Sequence, residues 1–147
     1  MPMRSKLFVV VAGVGLLLAA AVPVVAHHAF AAEFDANQPI KLKGAVTKVE
    51  WTNPHIWIFL DVKGNDGKVV NWAVEGGAPN SLYRRGFDKD SLQAGTEVLM
   101  EGYRAKDGSN KINGRTMVFA DGKTTFLGSS GTGAPSDGKD PAEPRQK

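Results

Sequence analysis

Residues 55–75 read HIWIFLDVKGNDGKVVNWAVE, and they include the clearest strand pattern of the chain. Between positions 55 and 62, Ile and Leu side chains alternate with polar or aromatic ones, which is typical of a half-buried β-strand. Gly64-Asn65-Asp66-Gly67 then predicts a hairpin-type loop. Residues 69–75 predict the next strand, with Val70, Trp72 and Val74 on one face. The stretch therefore predicts two antiparallel strands joined by a short loop.

The rest of the chain predicts three more strands and one short helix. The strands are Ile40–Trp51, Glu97–Tyr103 and Arg115–Ala120, and the helix is Pro79–Gly86. Gly44 marks a bulge or bend in the first of these strands, and residues 123–127 extend the last one after a turn. Three strands, a helix and two strands is the order of an OB-fold, a small partly open Greek-key barrel. A β-sandwich is the alternative, but it needs about seven strands. We therefore predict a mainly β protein: a five-stranded OB-like barrel with one short helix between strands 3 and 4.

The first 26 residues have the features of a secretory signal peptide. Arg4 and Lys6 provide a basic start, residues 7–21 are uncharged and apolar, and Ala26 closes a small-residue cleavage motif. The apolar run is short for a transmembrane helix, which needs roughly 20 residues. We expect cleavage near Ala26, secretion into the bacterial periplasm and no stable membrane span afterwards. An uncleaved anchor and cleavage after Ala21 are the alternatives.

Composition narrows the classes of function. The chain of 147 residues has 18 basic and 15 acidic side chains. Loss of Arg4 and Lys6 with the signal peptide leaves 16 basic against 15 acidic residues, so no basic surface is expected to bind nucleic acid. The absence of cysteine excludes thiolate catalysis, iron–sulfur clusters and cysteine-based zinc sites.

The expected mature chain has three parts. Residues 27–39 form an N-terminal arm, residues 40–127 form the OB-like domain, and residues 128–147 form a tail with hardly any apolar side chain. Such a tail cannot bury enough apolar surface to order itself, so we predict that it is disordered.

Several short motifs are spread along the predicted domain and its arm. They are His27-His28-x-Phe30, Glu33-Phe34-Asp35, Lys43-Gly44-x-Val46, Trp51-x-Asn53-Pro54-His55, Trp72-x-x-Glu75, Leu82-x-Arg84-x-Gly86 and Gly102-x-x-Ala105-Lys106-Asp107-Gly108-Ser109. In this combination the chain resembles a family of small exported bacterial proteins of unknown function, over roughly residues 27–122. The resemblance implies export and a small β-barrel-like domain, and it implies no catalytic residues.

The three histidines of the chain predict a metal site. Cleavage after Ala26 would leave His27 as the first residue, so that its α-amine and imidazole could bind one metal ion together. His28 and His55 could complete a nitrogen-rich ligand set, which favours Cu(II). The alternatives are a solvated N-terminus and a His55 that only makes a local hydrogen bond in a turn.

Strand register adds a partner for His55. If Ile56 lies opposite Val74, the apolar faces of the two strands align and His55 lies opposite Glu75. A slip of one residue would turn an apolar face to solvent, whereas a slip of two would not. Glu75 is therefore predicted to hydrogen-bond the His55 imidazole and orient it for a metal.

Aromatic side chains near His55 form a second candidate site. Trp57 and Phe59 are expected on the outer side of strand 2, with Trp51 and Asn53 beside the preceding turn. OB-folds bind ligands on the face of strands 2 and 3, and aromatic rings there can stack on ligands. The favoured alternative is that Trp57 and Phe59 pack under the arm, against its Phe30 and Phe34.

Arg84 and Arg85, on the predicted helix, are the last candidate site. Adjacent arginines can hold an anionic ligand, but more often they pair with surface carboxylates such as Asp88 or Asp90. Hydrolase motifs of the G-x-S-x-G and H-E-x-x-H types are absent from the sequence. A His55–Glu75 general base pair is the enzymatic alternative, and we do not expect an enzyme.

We therefore predict a periplasmic binding module with a possible copper site formed by His27, His28 and His55. The alternative is an adaptor that binds a peptide, a glycan or a protein through its aromatic face. The expected partners are a small ligand, a metal ion or a protein of the cell envelope. The sequence does not predict the oligomeric state.

Overall fold

The computed structural model describes residues 29–128 and 134–135. The predicted signal peptide, His27, His28 and nearly all of the predicted tail lie outside the described residues. The elements in chain order are α1 (Ala29–Glu33), β1 (Phe34–Glu50), β2 (Trp57–Lys63), β3 (Val69–Glu75), α2 (Pro79–Arg84), β4 (Glu97–Ala105), β5 (Lys111–Phe119) and β6 (Thr124–Phe126). Within these residues no helix is long and apolar enough to cross a membrane.

Five of the strands form a closed ring of pairings. The sheet order is β3-β2-β1-β4-β5-β6, and β3 also pairs with β5. The β3–β5 pairing is parallel and short, whereas the other ladders are antiparallel. The ring is barrel-like, with α2 between β3 and β4, and this confirms the predicted mainly β, OB-like fold.

The alternation that predicted β2 and β3 also builds the core. Ile56, Ile58 and Leu60 are completely buried, as is Val74 on the facing strand. Met100, Ile112 and Met117 join them from β4 and β5, and Leu82 of α2 covers one end of the same cluster. Burial of these apolar side chains is the main favourable contribution to folding. No disulfide adds to it, since the sequence has no cysteine.

The register predicted for the β2–β3 hairpin is wrong by two residues. Val74 lies opposite Ile58 rather than Ile56, and Glu75 lies opposite Trp57 rather than His55. Both registers keep the same apolar face inward, because side chains alternate with a period of two. The hydrophobic pattern alone therefore could not distinguish them.

Strand 1 is longer than predicted and bends at a different residue. It begins at Phe34 rather than Ile40, since Phe34 already pairs with Ala105 of β4. The register irregularity against β2 falls between Val46 and Lys48 rather than at Gly44. Gly44 instead permits close approach, because a Cβ atom there would lie 2.5 Å from the carbonyl oxygen of Asp61.

Strand 5 begins earlier than predicted. The predicted strand starts at Arg115, whereas β5 begins at Lys111. Ile112 is completely buried and pairs in parallel with Val74, which fixes this segment to β3. A single apolar residue between polar neighbours gives no alternation, so the sequence pattern could not identify these strand residues.

Candidate functional site

His55 is held by backbone hydrogen bonds just before β2. It follows the cis peptide bond between Asn53 and Pro54. The neighbouring Ile56 donates its N–H to the carbonyl oxygen of Gly77 at 3.1 Å and accepts the N–H of Gly76 at 2.9 Å. These bonds extend the β2–β3 pairing past the end of the strands. They place His55 on the outer side of the barrel wall, opposite in direction to the buried Ile56.

The His55 imidazole contacts the Glu75 carboxylate. Nδ1 of His55 lies 2.7 Å from Oε1 of Glu75, and the two side chains are 30% and 10% exposed. Glu75 is the last residue of β3 and faces Trp57 across the ladder, so His55 is its diagonal neighbour. Diagonal neighbours in antiparallel strands are within reach of long side chains. The predicted contact therefore forms in a register that differs from the predicted one.

Burial favours the neutral form of each group in this pair. It raises the pKa of Glu75 to about 7. The negative charge of Glu33 raises this pKa further, and the positive charge of Lys111 opposes the shift. Burial also lowers the pKa of His55, while Glu33 opposes this shift. A contact of 2.7 Å between a ring nitrogen and a carboxyl oxygen needs one proton between them. When Nδ1–H donates to the carboxylate, the lone pair of Nε2 remains available for a ligand.

Glu33 connects the N-terminal arm to this pair. It ends α1, and its carboxylate lies 3.2 Å from Nζ of Lys111 on β5. Its backbone carbonyl accepts the N–H of Lys106 at 2.9 Å. Sequence reasoning missed both Glu33 and Lys111 as members of the site. Lys111 lies before the strand predicted from Arg115. The ion pair joins residues 78 positions apart, which no local pattern can indicate.

The arm packs against β4, not against the aromatic rings of β2. Phe30 and Phe34 are buried in a small cluster with Ala105, and the Phe30 ring centroid lies 5.5 Å from that of Tyr103. The expectation that these two phenylalanines cover Trp57 and Phe59 is therefore wrong. Alternation along the chain cannot indicate which of several strands an arm will contact.

The aromatic side chains predicted to form one binding face lie in different surroundings. Trp51 packs on the main core with its ring centroid 6.0 Å from that of Phe87. Trp57 and Phe59 are half-buried on the outer face of β2, where Nζ of Lys48 lies 5.5 Å from the Phe59 ring centroid. Asn53 is exposed in the preceding turn. Trp57 is thus the large aromatic side chain closest along the chain to His55 that keeps an outward position.

The two arginines at the end of α2 have different surroundings. Arg84 is exposed. Arg85 is partly buried, donates Nη1–H to the carbonyl oxygen of Gly128 at 2.8 Å, and places its guanidinium 5.1 Å from the Phe126 ring centroid. The expected carboxylates have other described contacts, since Asp88 accepts a hydrogen bond from Ser91 and Asp90 lies near Lys89.

Of the three histidines predicted to bind a metal, the structure describes His55. His27 and His28 lie outside the described residues. Among residues 29–128 and 134–135, no group of three or more His, Asp or Glu side chains is placed to hold a metal ion. Within that part of the chain, His55 with Glu75 behind it is the arrangement suited to give one imidazole ligand.

The chain was compared with known proteins. A search of curated proteins gives no match, and a search of solved structures gives none either. A family model does match: that of the family of unknown function DUF6152, over residues 14–114. This agrees with the resemblance to a family of unknown function. Since the match spans more than half of the sequence, the chain belongs to the DUF6152 family.

Proposed function

We propose that this protein is an exported metal-binding module of the bacterial cell envelope, in which His55 binds Cu(II) together with His27 and His28. The observation that carries the proposal is the 2.7 Å contact between Nδ1 of His55 and Oε1 of Glu75. Histidines that bind metals usually donate their second ring N–H to a carboxylate or carbonyl, which fixes the ring and raises its basicity.

The anchoring of the arm supports a role for the N-terminal histidines. Phe30 and Phe34 are buried, and Lys106 holds the end of α1 through the carbonyl oxygens of Ala31 and Glu33. The Glu33 carboxylate acts on the pKa values of both His55 and Glu75, so this end of α1 belongs to their electrostatic surroundings. His28 is the residue bonded to Ala29, where α1 begins. The attachment of this short helix to the barrel is the observation that supports ligands from the residues just before it.

Ligand chemistry selects the metal. A site of imidazole nitrogens and an α-amine lacks the thiolates that Cu(I) prefers and the several carboxylates that Ca²⁺ and Mg²⁺ prefer. Cu(II) stands at the top of the divalent affinity order and accepts tetragonal nitrogen ligation. The proposal requires export, since the predicted cleavage after Ala26 would create the free α-amine of His27.

The test is a Cu(II) titration of protein purified from periplasm, with its N-terminus sequenced. We expect a chain that begins at His27 and binds one Cu(II). His55→Ala and an alanine inserted before His27 should each weaken binding, whereas Asn53→Ala, in the same turn but without a metal ligand, should not. Electron paramagnetic resonance of the complex should report nitrogen ligation, and His55→Ala should change that signal.

Contrary results would point to a different function. A different N-terminus, or binding that His55→Ala leaves unchanged, would exclude the proposed ligand set. Binding of a peptide, glycan or protein that is insensitive to chelators and lost in Trp57→Ala would favour the adaptor. The half-buried, outward position of Trp57 and Phe59 is the observation that supports that alternative.

A further inference from the structure

An open cavity of about 440 Å³ lies between the end of α2 and the β5–β6 hairpin. Its wall includes Arg85 and Phe87 after α2, Phe119 at the end of β5, and Lys123 and Phe126 of the hairpin. None of its lining residues belongs to the group formed by His55, Glu75, Glu33 and Lys111. Its volume lies in the range of small-ligand sites, roughly 300–1,000 Å³. The cavity is therefore a candidate site independent of the metal proposal.

The cavity wall is positively charged. Arg85 and Lys123 both line it, and among the residues that the structure describes no Asp or Glu does. The carboxylates nearest along the chain bind the backbone of their own turns: Asp88 accepts the N–H of Asp90, and Asp121 accepts the N–H of Lys123. A third cation, Arg115, lies 4.9 Å from the Phe126 ring centroid and adds to the positive potential. The wall is therefore complementary to an anion.

Aromatic rings provide the apolar part of the wall. Phe119 and Phe126 are both half-buried, and Phe87 is buried in the core with an edge at the cavity. The Phe126 ring also stacks on the Arg85 guanidinium at 5.1 Å, and the bond from Arg85 to Gly128 fixes that side chain. A guanidinium held in this way loses little rotamer freedom on binding a ligand. Ser91, Thr124 and Thr125 also line the cavity. The Ser91 hydroxyl donates to the Asp88 carboxylate, and the Thr124 hydroxyl donates to the carbonyl oxygen of Gly122.

We propose that this cavity binds a small organic anion with an aromatic body, of the class of aromatic carboxylates. Arg85 and Lys123 would face the carboxylate, and Phe119 and Phe126 would contact the ring. Charge-assisted hydrogen bonds from a guanidinium to a carboxylate are among the stronger polar contacts in proteins. The apolar contacts distinguish such a ligand from a bare inorganic anion.

The test compares three probes on the full chain, with a chelator present so that the metal site is silent. The probes are benzoate, benzamide, which has the same shape without the charge, and inorganic phosphate, which has the charge without the ring. We expect benzoate to bind with millimolar or better affinity and to shift the amide resonances of Thr125 and Phe126. Benzamide and phosphate should each bind about tenfold more weakly, since each lacks one of the two interactions.

Matched variants locate the site. Lys123→Gln changes an exposed side chain and should weaken benzoate binding several-fold with folding intact. Arg84→Gln removes the neighbouring cation, which does not line the cavity, and should leave benzoate binding unchanged. Arg85→Gln should have the largest effect where it folds. The proposal would be overturned if benzoate did not bind, or if it bound no more tightly than benzamide or phosphate. It would also be overturned if Lys123→Gln and Arg84→Gln had equal effects on benzoate binding.

Discussion

His55 and Glu75 touch although they are not opposite each other in the β2–β3 ladder. Glu75 pairs with Trp57 at the end of the ladder, and His55 lies two residues before Trp57, just after Pro54; their side chains meet at 2.7 Å. The pair therefore lies at an end of the hairpin, on the outer side of the barrel wall, with His55 partly open to solvent. This position gives an imidazole both a fixed orientation and an open side.

The stability of the metal-free protein should depend on pH through Glu75. Because burial raises its folded pKa from 4.5 to about 7, the carboxyl group contributes most stability below pH 4.5. That contribution is lost as the pH rises through about 7. Relative to Glu75→Gln, the wild type should lose at most about 3 kcal/mol of unfolding free energy over this range. Urea unfolding at several pH values measures the difference.

The comparison with Glu75→Gln is needed because titration of His55 changes the unfolding free energy with pH in the opposite direction. Burial lowers the pKa of His55, so its contribution to stability is lost as the pH falls through that lowered value. This effect is present in both proteins. Glu97→Gln, which changes an exposed carboxylate, should run parallel to the wild type. If Glu75→Gln also ran parallel to the wild type, Glu75 would not titrate as the structure predicts.

Glu33→Gln should lower two pKa values together. The Glu33 carboxylate raises the pKa of both Glu75 and His55, and its removal takes away that effect on each group. Titration followed by nuclear magnetic resonance, at the Glu75 carboxyl carbon and the His55 ring, would measure both. Glu97→Gln again serves as the control. An unchanged pair of titration curves would mean that α1 does not lie against this site in solution.

Removal of the carboxylate behind His55 should weaken Cu(II) binding if the proposed function holds. Glu75→Gln keeps the shape of the side chain but loses the charge that stabilises Nδ1–H. Loss of such a partner typically lowers metal affinity by about 10- to 100-fold. A competition titration with a chelator of known affinity measures the change. Equal affinities in Glu75→Gln and Glu97→Gln would show that Glu75 does not support a metal ligand.

Gly102→Ala should strongly destabilise the barrel. A Cβ atom at Gly102 would overlap the backbone carbonyl of Asn113, and backbone cannot move aside at low cost. We expect a loss of more than about 2 kcal/mol of unfolding free energy. The control is Gly64→Ala, whose Cβ would lie 2.9 Å from a side-chain oxygen of Asp66 and 3.6 Å from the nearest backbone atom, the carbonyl oxygen of Lys68. Thermal and urea unfolding compare the two, and similar stabilities would contradict the close approach of β4 and β5.

The fold was predictable because its pattern is local. Ile56, Ile58 and Leu60 show their inward face by alternation alone, and the short helix after β3 is indicated by Pro79 and Gly86. The contact of His55 with Glu75 was also predictable from the sequence. It requires only that the two strands form a hairpin and that both residues lie on its outer face. The offset of two residues was not, because both registers bury the same side chains.

The remaining parts of the site depend on contacts between distant parts of the chain. Glu33 enters the site through an arm that packs on Tyr103 and Ala105, and Lys111 through a parallel pairing with β3. Neither contact leaves a periodic signal. The cavity at Arg85 likewise joins the end of α2 to Phe119 and the residues after it, more than thirty positions later. Only the arrangement of the strands brings such residues together.

The anchoring of α1 also constrains the order in which parts of the protein can fold. The helix α1 is among the earliest parts of the domain to be synthesised, yet Lys106, which holds it, comes 75 residues after Ala31. Contacts of such long sequence separation require closure of the intervening chain before they form. During synthesis the arm can therefore pack against the barrel only after β4 and Lys111 have been made. The electrostatic surroundings of His55 and Glu75 are then among the last features of the protein to be established.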